Sequence, residues 1–269
     1  PDTPGYDPAL QAKLGYMTLT GDPSGPPTLC GVPVIDLKAG DELFVQVMMA
    51  LVDQVEDGEG ARRVDISMAQ AAVSWLHTSL PLVDMGAASS EVKRNGNEHR
   101  EFVPVNVYPT ADGFVYITIG NDTQWRRFTS LDVFAELRKP DWDTNEGRRE
   151  GREMIHALIE KALETLNTQE TVEMLTAAGV VASEVNDIAT VKDLPTMAPR
   201  LCTVEFPPGH TVHLPPSALM GDGAPPTEFS PPPRYGEHTQ SVLQEVGCTA
   251  DEVEKLLEEG IVAEPSTAN

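Results

Sequence analysis

Apolar residues recur along this chain with two different periods. Leu43, Phe44, Val47, Met48, Leu51, Val52 and Val55 are spaced by three and four, which is one face of a helix. The spacing predicts a helix that follows Asp36 and stops at the Asp-Gly-Glu-Gly of 57–60. Just before it, Val32, Val34 and Ile35 form a short apolar run. Beyond it, Arg63-Val64-Asp65-Ile66 alternates like a strand. Ser67-Met68-Ala69-Gln70 has capping-box spacing and opens a helix through Trp75 and Leu76. The order strand, helix, strand, helix predicts a parallel α/β layer.

The pattern changes near residue 90. Phe102–Tyr108 and Phe114–Ile119 are two strand-like runs about an Asp112-Gly113 turn, which is a hairpin signal. Asn121 to Gln124 caps a helix carrying Trp125 and Phe128. A charged helix is predicted at 146–165, with Met154, Ile155, Leu158, Ile159, Ala162 and Leu163 on one face. Asn167 to Glu170 caps another, stopped by Gly179. A hairpin followed by helices reads as a second, smaller α+β module. The stretch 200–235 is proline-rich, with strand-like pieces at Thr203–Phe206 and Thr211–Leu214, and Thr249 to Glu252 is a further capping box before a last helix.

Composition narrows the function classes. The chain has 269 residues and a net charge of −23, from 42 acidic and 19 basic residues. That balance opposes nucleic-acid binding, which depends on basic side chains neutralising phosphates, and it disfavours anionic membranes. No run of apolar residues is long enough for a membrane span. Three scattered cysteines (Cys30, Cys202, Cys248) without a C-x-x-C argue against a disulfide framework and favour a reducing cytoplasm. The opening Pro-Asp-Thr-Pro-Gly lacks an initiator Met and reads as the start of a processed or truncated piece.

Asp36 is the main chemical candidate. On the residues alone it is either a helix cap, favoured by the helix N-terminus, or a nucleophilic carboxylate at a ligand-binding edge. Gly31 and Gly40 flank it and permit close approach. His210 and His213 in HTVH point to opposite faces of a strand and make a poor metal pair. Arg62-Arg63, Lys93-Arg94, Arg126-Arg127 and Arg148-Arg149 are the paired basic residues that a phosphate would need.

Several stretches taken together resemble the family III CoA-transferases, the group of formyl-CoA transferase, carnitine CoA-transferase and α-methylacyl-CoA racemase. Pro4-Gly5-Tyr6-Asp7, Gln11-Ala12 and Gly15 to Gly21 resemble one family block, and GVPVIDLKAG (31–40) a second. GARRVDISM (60–68), TADGFVYITIGNDTQW (110–125) and Gly236-Glu237-His238-Thr239 follow in the family's order. The family's N-terminal region, which carries much of the CoA-binding surface, has no counterpart here.

The resemblance implies an open Rossmann-like α/β large domain with a smaller α+β domain, of the interlocked-dimer type. Residues 1–92 would be the later part of the large domain, 93–200 the small domain, and 201–269 a Pro-rich linker and return. It implies that Asp36 is the nucleophile in CoA transfer from an acyl-CoA to a carboxylic acid. The route runs through aspartyl anhydride and aspartyl-CoA intermediates, with backbone N–H groups near the helix start serving the oxyanion. Tyr6, Gln11, Met17, Glu98 and His99 are the matching substrate-binding candidates. The resemblance implies no metal or redox cofactor, CoA thioester being a substrate. It implies a homodimer or a heteromeric transferase partner.

Two alternatives stay open, an acyl-CoA racemase or epimerase and a non-catalytic subunit of a heteromeric transferase. The racemase branch carries His where this chain has Tyr6, a poor base at neutral pH with its ordinary pKa near 10, so Tyr6 favours transfer. Where some transferases carry a run of glycines, this chain reads Gly96-Asn97-Glu98-His99-Arg100. Lys38 stands close enough in sequence to offset the acidic pair Asp41-Glu42.

Overall fold

Proline places the first helices. Pro8 sits in the first turn of α1 (Asp7–Lys13), where its missing N–H costs nothing. Gly15, in the left-handed region at φ 90°, turns the chain into α2 (Tyr16–Leu19). Pro33 is the N-cap of α3 (Val34–Asp57), and Gly58 ends that helix with φ 67°. This is a computed structural model describing residues 5–58, 60–207, 209–218 and 226–265. It divides into two units, Pro1–Val185 and Asn186–Asn269.

The helix expected after Asp36 is present, but it begins at Val34 and takes Asp36 into its first turn. The two flanking strands are a correction. No strand falls among the described residues 5–104, so the strands of a parallel layer are not found over 32–35 or 63–66. Alternation sets side-chain faces, but a strand exists only when a neighbour takes its backbone hydrogen bonds. Arg63 and Asp65, two residues apart, pair with each other at 2.7 Å instead. Ser67 caps α4 (Met68–Ser74) as expected, its hydroxyl accepting from the Gln70 N–H. A 3-10 turn over Trp75–Thr78 leads to α5 (Leu80–Asp84). The Tyr16 hydroxyl donates to the Ala72 carbonyl at 2.7 Å and ties α2 to α4.

The hairpin forms where Asp112-Gly113 predicts it. β1 (Val105–Pro109) pairs antiparallel with β2 (Phe114–Thr118), Val105 opposite Thr118 and Pro109 opposite Phe114. α6 (Asp122–Ser130) is capped by Asn121 and buries Trp125 and Phe128. The expected 146–165 helix is two helices, α7 (Asn145–Glu150) and α8 (Arg152–Leu163). They part at Gly151, where a Cβ would lie 2.3 Å from the Trp142 indole nitrogen. α9 (Thr168–Ala177) follows, and β3 (Val181–Glu184) adds antiparallel to β2, giving sheet order β1-β2-β3. The core of this unit lies between that sheet and α6, α8 and α9, with Phe128 stacked on Phe134 at 4.0 Å and Ile117, Ile155 and Leu163 fully buried. Each such side chain contributes about 1.5–3 kcal/mol.

The second unit holds α10 (Ile188–Val191) and a small sheet. β4 (Cys202–Phe206) pairs antiparallel with β5 (His210–Leu214) and parallel with β6 (Glu228–Phe229). α11 (Thr239–Glu245) and α12 (Ala250–Glu258) close it, the latter with the full Thr249–Glu252 capping box. Gly236 of the G-E-H-T run has φ 78°, and a Cβ there would lie 2.5 Å from the Ala263 carbonyl oxygen. No helix of the described residues is long and apolar enough to cross a membrane.

Candidate active site

The N-terminus of α3 answers whether Asp36 is a cap. A helix begins with amides that lack intrahelical partners, and Pro33 at the N-cap has no side-chain acceptor to offer. The acceptor comes from 28 residues away. Asp7 Oδ2 accepts the N–H of Ile35 at 2.7 Å and of Asp36 at 3.2 Å, while Oδ1 accepts from Gln11 Nε2 at 2.6 Å. Gln11 Oε1 in turn accepts the Cys30 N–H at 3.1 Å. Asp7 and Gln11 are both buried. The Asp36 side chain is left exposed, and among the described residues it makes no hydrogen bond or ion pair. A carboxylate released from capping, at the start of a long helix, is available for chemistry.

Space beside it is open. A Cβ added at Gly31 or Gly40 would meet nothing within 4 Å. Tyr6 is the N-cap of α1 and 78% exposed, and Asp7 next to it bonds the Asp36 amide, so Tyr6 and Asp36 share one neighbourhood. Met17, half-buried on α2, accepts the Thr28 N–H on its carbonyl. Gln11 faces inward, its Nε2 donating to Asp7 and its Oε1 accepting from Cys30. Lys38 pairs with Glu42 one turn along α3 and lies 5.6 Å from the Trp75 ring centroid, so its charge is committed to Glu42. Burial, with the charge of Asp7 added, raises the pKa of Tyr16, which keeps its proton for the Ala72 carbonyl.

The amides expected to serve an oxyanion are occupied. Besides those of Ile35 and Asp36, the Val34 N–H donates to Val32 O at 2.7 Å and the Leu37 N–H to Pro33 O at 3.0 Å. The first turn of α3 therefore has no amide to spare for the expected oxyanion.

Glu98 and His99 lie on the segment before β1. Glu98 Oε1 pairs with Arg152 at 3.0 Å and with His156 Nε2 at 2.5 Å, and His156 Nδ1 meets the Tyr108 hydroxyl at 2.6 Å. Burial first, then the charge of Glu98, pushes the Tyr108 pKa well up. His99 Nδ1 accepts the N–H groups of Glu101 and Phe102 at 3.0 and 3.1 Å. Both side chains thus fasten this segment to its own surroundings. The segment also reaches the loop of residues 21–25, through Arg94 to the carbonyls of Asp22 and Gly25 and through the Gly96 N–H to Gly21 O. Arg148, one of the paired basic residues, is fully buried and spends its guanidinium on Val103 O, Trp142 O and Asp122.

Sequence reading missed Asp7. Asp7 stands in the Pro4-Gly5-Tyr6-Asp7 stretch that resembles the family, without a role of its own, and the local signs are an Asp-Pro helix start and a proline at the N-cap of α3, a position that cannot cap itself. His210 and His213 lie on exposed positions of β5, and among the described residues no group of three or more metal-ligating side chains occurs.

The family described as CoA-transferase family III matches residues 1–239. An acyl-CoA transferase of Fusarium pseudograminearum is 28% identical over 96% of this chain and 57% of its own length. The human succinyl-CoA:glutarate CoA-transferase is 26% identical over 98% of this chain and 60% of its own. A crystal structure of a CaiB/BaiF family protein from Brucella suis superposes with a TM-score of 0.76 at 25% identity, covering 90% of this chain and 63% of that one. The chain thus spans about three fifths of the length of these proteins.

Proposed function

The chain belongs to CoA-transferase family III, and from that premise we propose that it takes part in moving CoA from an acyl-CoA thioester to a carboxylic acid, with Asp36 as the nucleophile. The observation that carries this reading is the division of labour at α3: Asp7 caps the helix, and Asp36 projects free from its first turn.

An Asp36 oxygen attacks the thioester carbonyl. A C–O bond forms, the C–S bond breaks, and a mixed anhydride and CoA thiolate result. The thiolate attacks the aspartyl carbonyl, giving an aspartyl-CoA thioester and releasing the donor as a carboxylate. An acceptor carboxylate then attacks that thioester, and the same two steps in reverse order form the new acyl-CoA and return Asp36. Each step exchanges one carboxylate or thiolate for another, so no net proton is taken up. A free carboxylate is a weak nucleophile in water, and positioning against a bound thioester supplies effective molarity in its place. Tyr6, exposed and next in sequence to the Asp7 that holds the Asp36 amide, is proposed to line the acyl pocket. The names of the relatives suggest dicarboxylates such as succinate and glutarate as substrates to try first.

The test is chemical trapping. With succinyl-CoA and hydroxylamine, the wild type accumulates a hydroxamate at Asp36, located by peptide mass. Asp36→Ala yields none and loses transfer by on the order of a thousandfold or more. Normal turnover in Asp36→Ala would end the proposal.

A further inference from the structure

We infer that Asp7 is a positioning residue that aims the Asp36 carboxylate through the backbone; this rests on the reading of Asp36 as nucleophile. Capping alone does not account for Asp7. A Ser, Thr, Asn or Asp at position 33 would satisfy the same amides from an exposed position. Pro33 stands there instead, and the acceptor is a carboxyl only 4% exposed. Burying such a group is costly unless partners surround it. Its partners are three N–H donors, and among the described residues no cation pairs with it.

What this arrangement provides is geometry. A single oxygen, Asp7 Oδ2, holds the amides of two successive residues, one of them Asp36 itself. The direction of the Asp36 Cα–Cβ bond follows from the peptide plane so fixed. Gln11, one turn further along α1 and 1% exposed, is locked to Asp7 and holds the Cys30 N–H at the other end of the same segment. The stretch 30–36 is therefore braced at both ends from one short helix. The proposed chemistry needs such a brace, since a misplacement of about 1 Å costs on the order of a hundredfold in rate.

The experiment uses the 269-residue chain, with succinyl-CoA and hydroxylamine as probes and three variants, Asp7→Ala, Asp7→Asn and Gln11→Ala. Asp7→Ala should lower hydroxamate formation at Asp36 by about tenfold or more while changing the Kd for succinyl-CoA less than about threefold, because placement rather than binding is lost. Asp7→Asn keeps one oxygen on the two amides but turns an N–H donor towards Gln11 Nε2, so it should recover part of that loss, which a charge effect would not do. Gln11→Ala should fall between. Hydrogen exchange at the amides of Ile35 and Asp36, read without substrate, should speed up about tenfold in Asp7→Ala and little in Asp7→Asn.

Trapping at Asp36 that is equal in wild type and Asp7→Ala, with faster amide exchange, overturns the positioning role and leaves the nucleophile intact. No trapping at Asp36 in the wild type removes the nucleophile and the inference with it. If Asp7→Ala does not fold, Gln11→Ala decides, and trapping at Asp36 that equals wild type in that variant overturns the role.

Discussion

At the scale of single residues, two helices among the described residues are capped from a distance. Asp7 caps α3, and Asp112 caps α9, where the N-cap Asn167 makes no side-chain cap bond of its own. Asp112 Oδ1 instead accepts both the N–H and the hydroxyl of Thr168 at 2.8 Å. Those bonds, the backbone one first, favour the ionised form and hold the Asp112 carboxyl below its ordinary pKa, which is about 3.9. A depressed folded-state pKa gives stability that is present above the unfolded value and lost as pH falls through the folded one. Asp112→Asn should therefore flatten the acid limb of a melting-temperature profile below about pH 4 and leave its neutral and alkaline limbs parallel to wild type. Parallel profiles throughout would show that Asp112 contributes no acid-side stability. Neither cap was legible in the sequence. Caps are recognised by offsets of three residues, and an acceptor reaching across 28 or 56 positions leaves no such trace. Asp36 was legible as a charge at a junction, but whether it caps the helix depended on Asp7.

Among the elements, legibility followed the distance to the bonding partner. The hairpin of β1 and β2 was readable because turn, alternation and partner all lie within 105–118. The alternation over 63–66 carried the same local signal, but it has no partner strand among the described residues. Its reading as a strand failed for want of a neighbour, not of pattern. The split between α7 and α8 is set by Trp142, whose indole occupies the place a side chain at 151 would need. Arg148 of α7 shows what such tertiary fixing is worth. It is fully buried, bonds two carbonyls and Asp122, and its guanidinium carbon lies 5.1 Å from the Trp125 ring centroid. Lysine cannot reproduce that fork. Arg148→Lys should cost about 2–4 kcal/mol, since it strands at least one buried carbonyl and leaves a buried ammonium badly paired. Urea unfolding checks this through a lower midpoint at unchanged slope, and a midpoint within error of wild type would contradict it.

For the molecule as a whole, two surface properties oppose each other. The apolar face that first predicted α3 is largely uncovered, with Phe44 66%, Leu51 49%, Val52 53% and Val55 85% exposed. Contiguous apolar surface of this kind is uncommon on a monomeric soluble protein and drives association. The net charge of −23 repels one copy from another. Salt separates the two effects, because screening weakens repulsion over distance while contact between apolar faces is unaffected or strengthened. Raising salt from about 20 mM to about 500 mM shortens the screening length from roughly 20 Å to roughly 4 Å. The isolated chain should therefore gain sedimentation mass and bind more of an environment-sensitive apolar dye as salt rises. Phe44→Asp with Val52→Asp should abolish both gains, and circular dichroism should stay the same, since neither side chain is buried in the chain by itself. A mass that is constant or falls with salt would show that apolar contact does not drive association, and a gain that survives the double substitution would place it somewhere other than the face of α3.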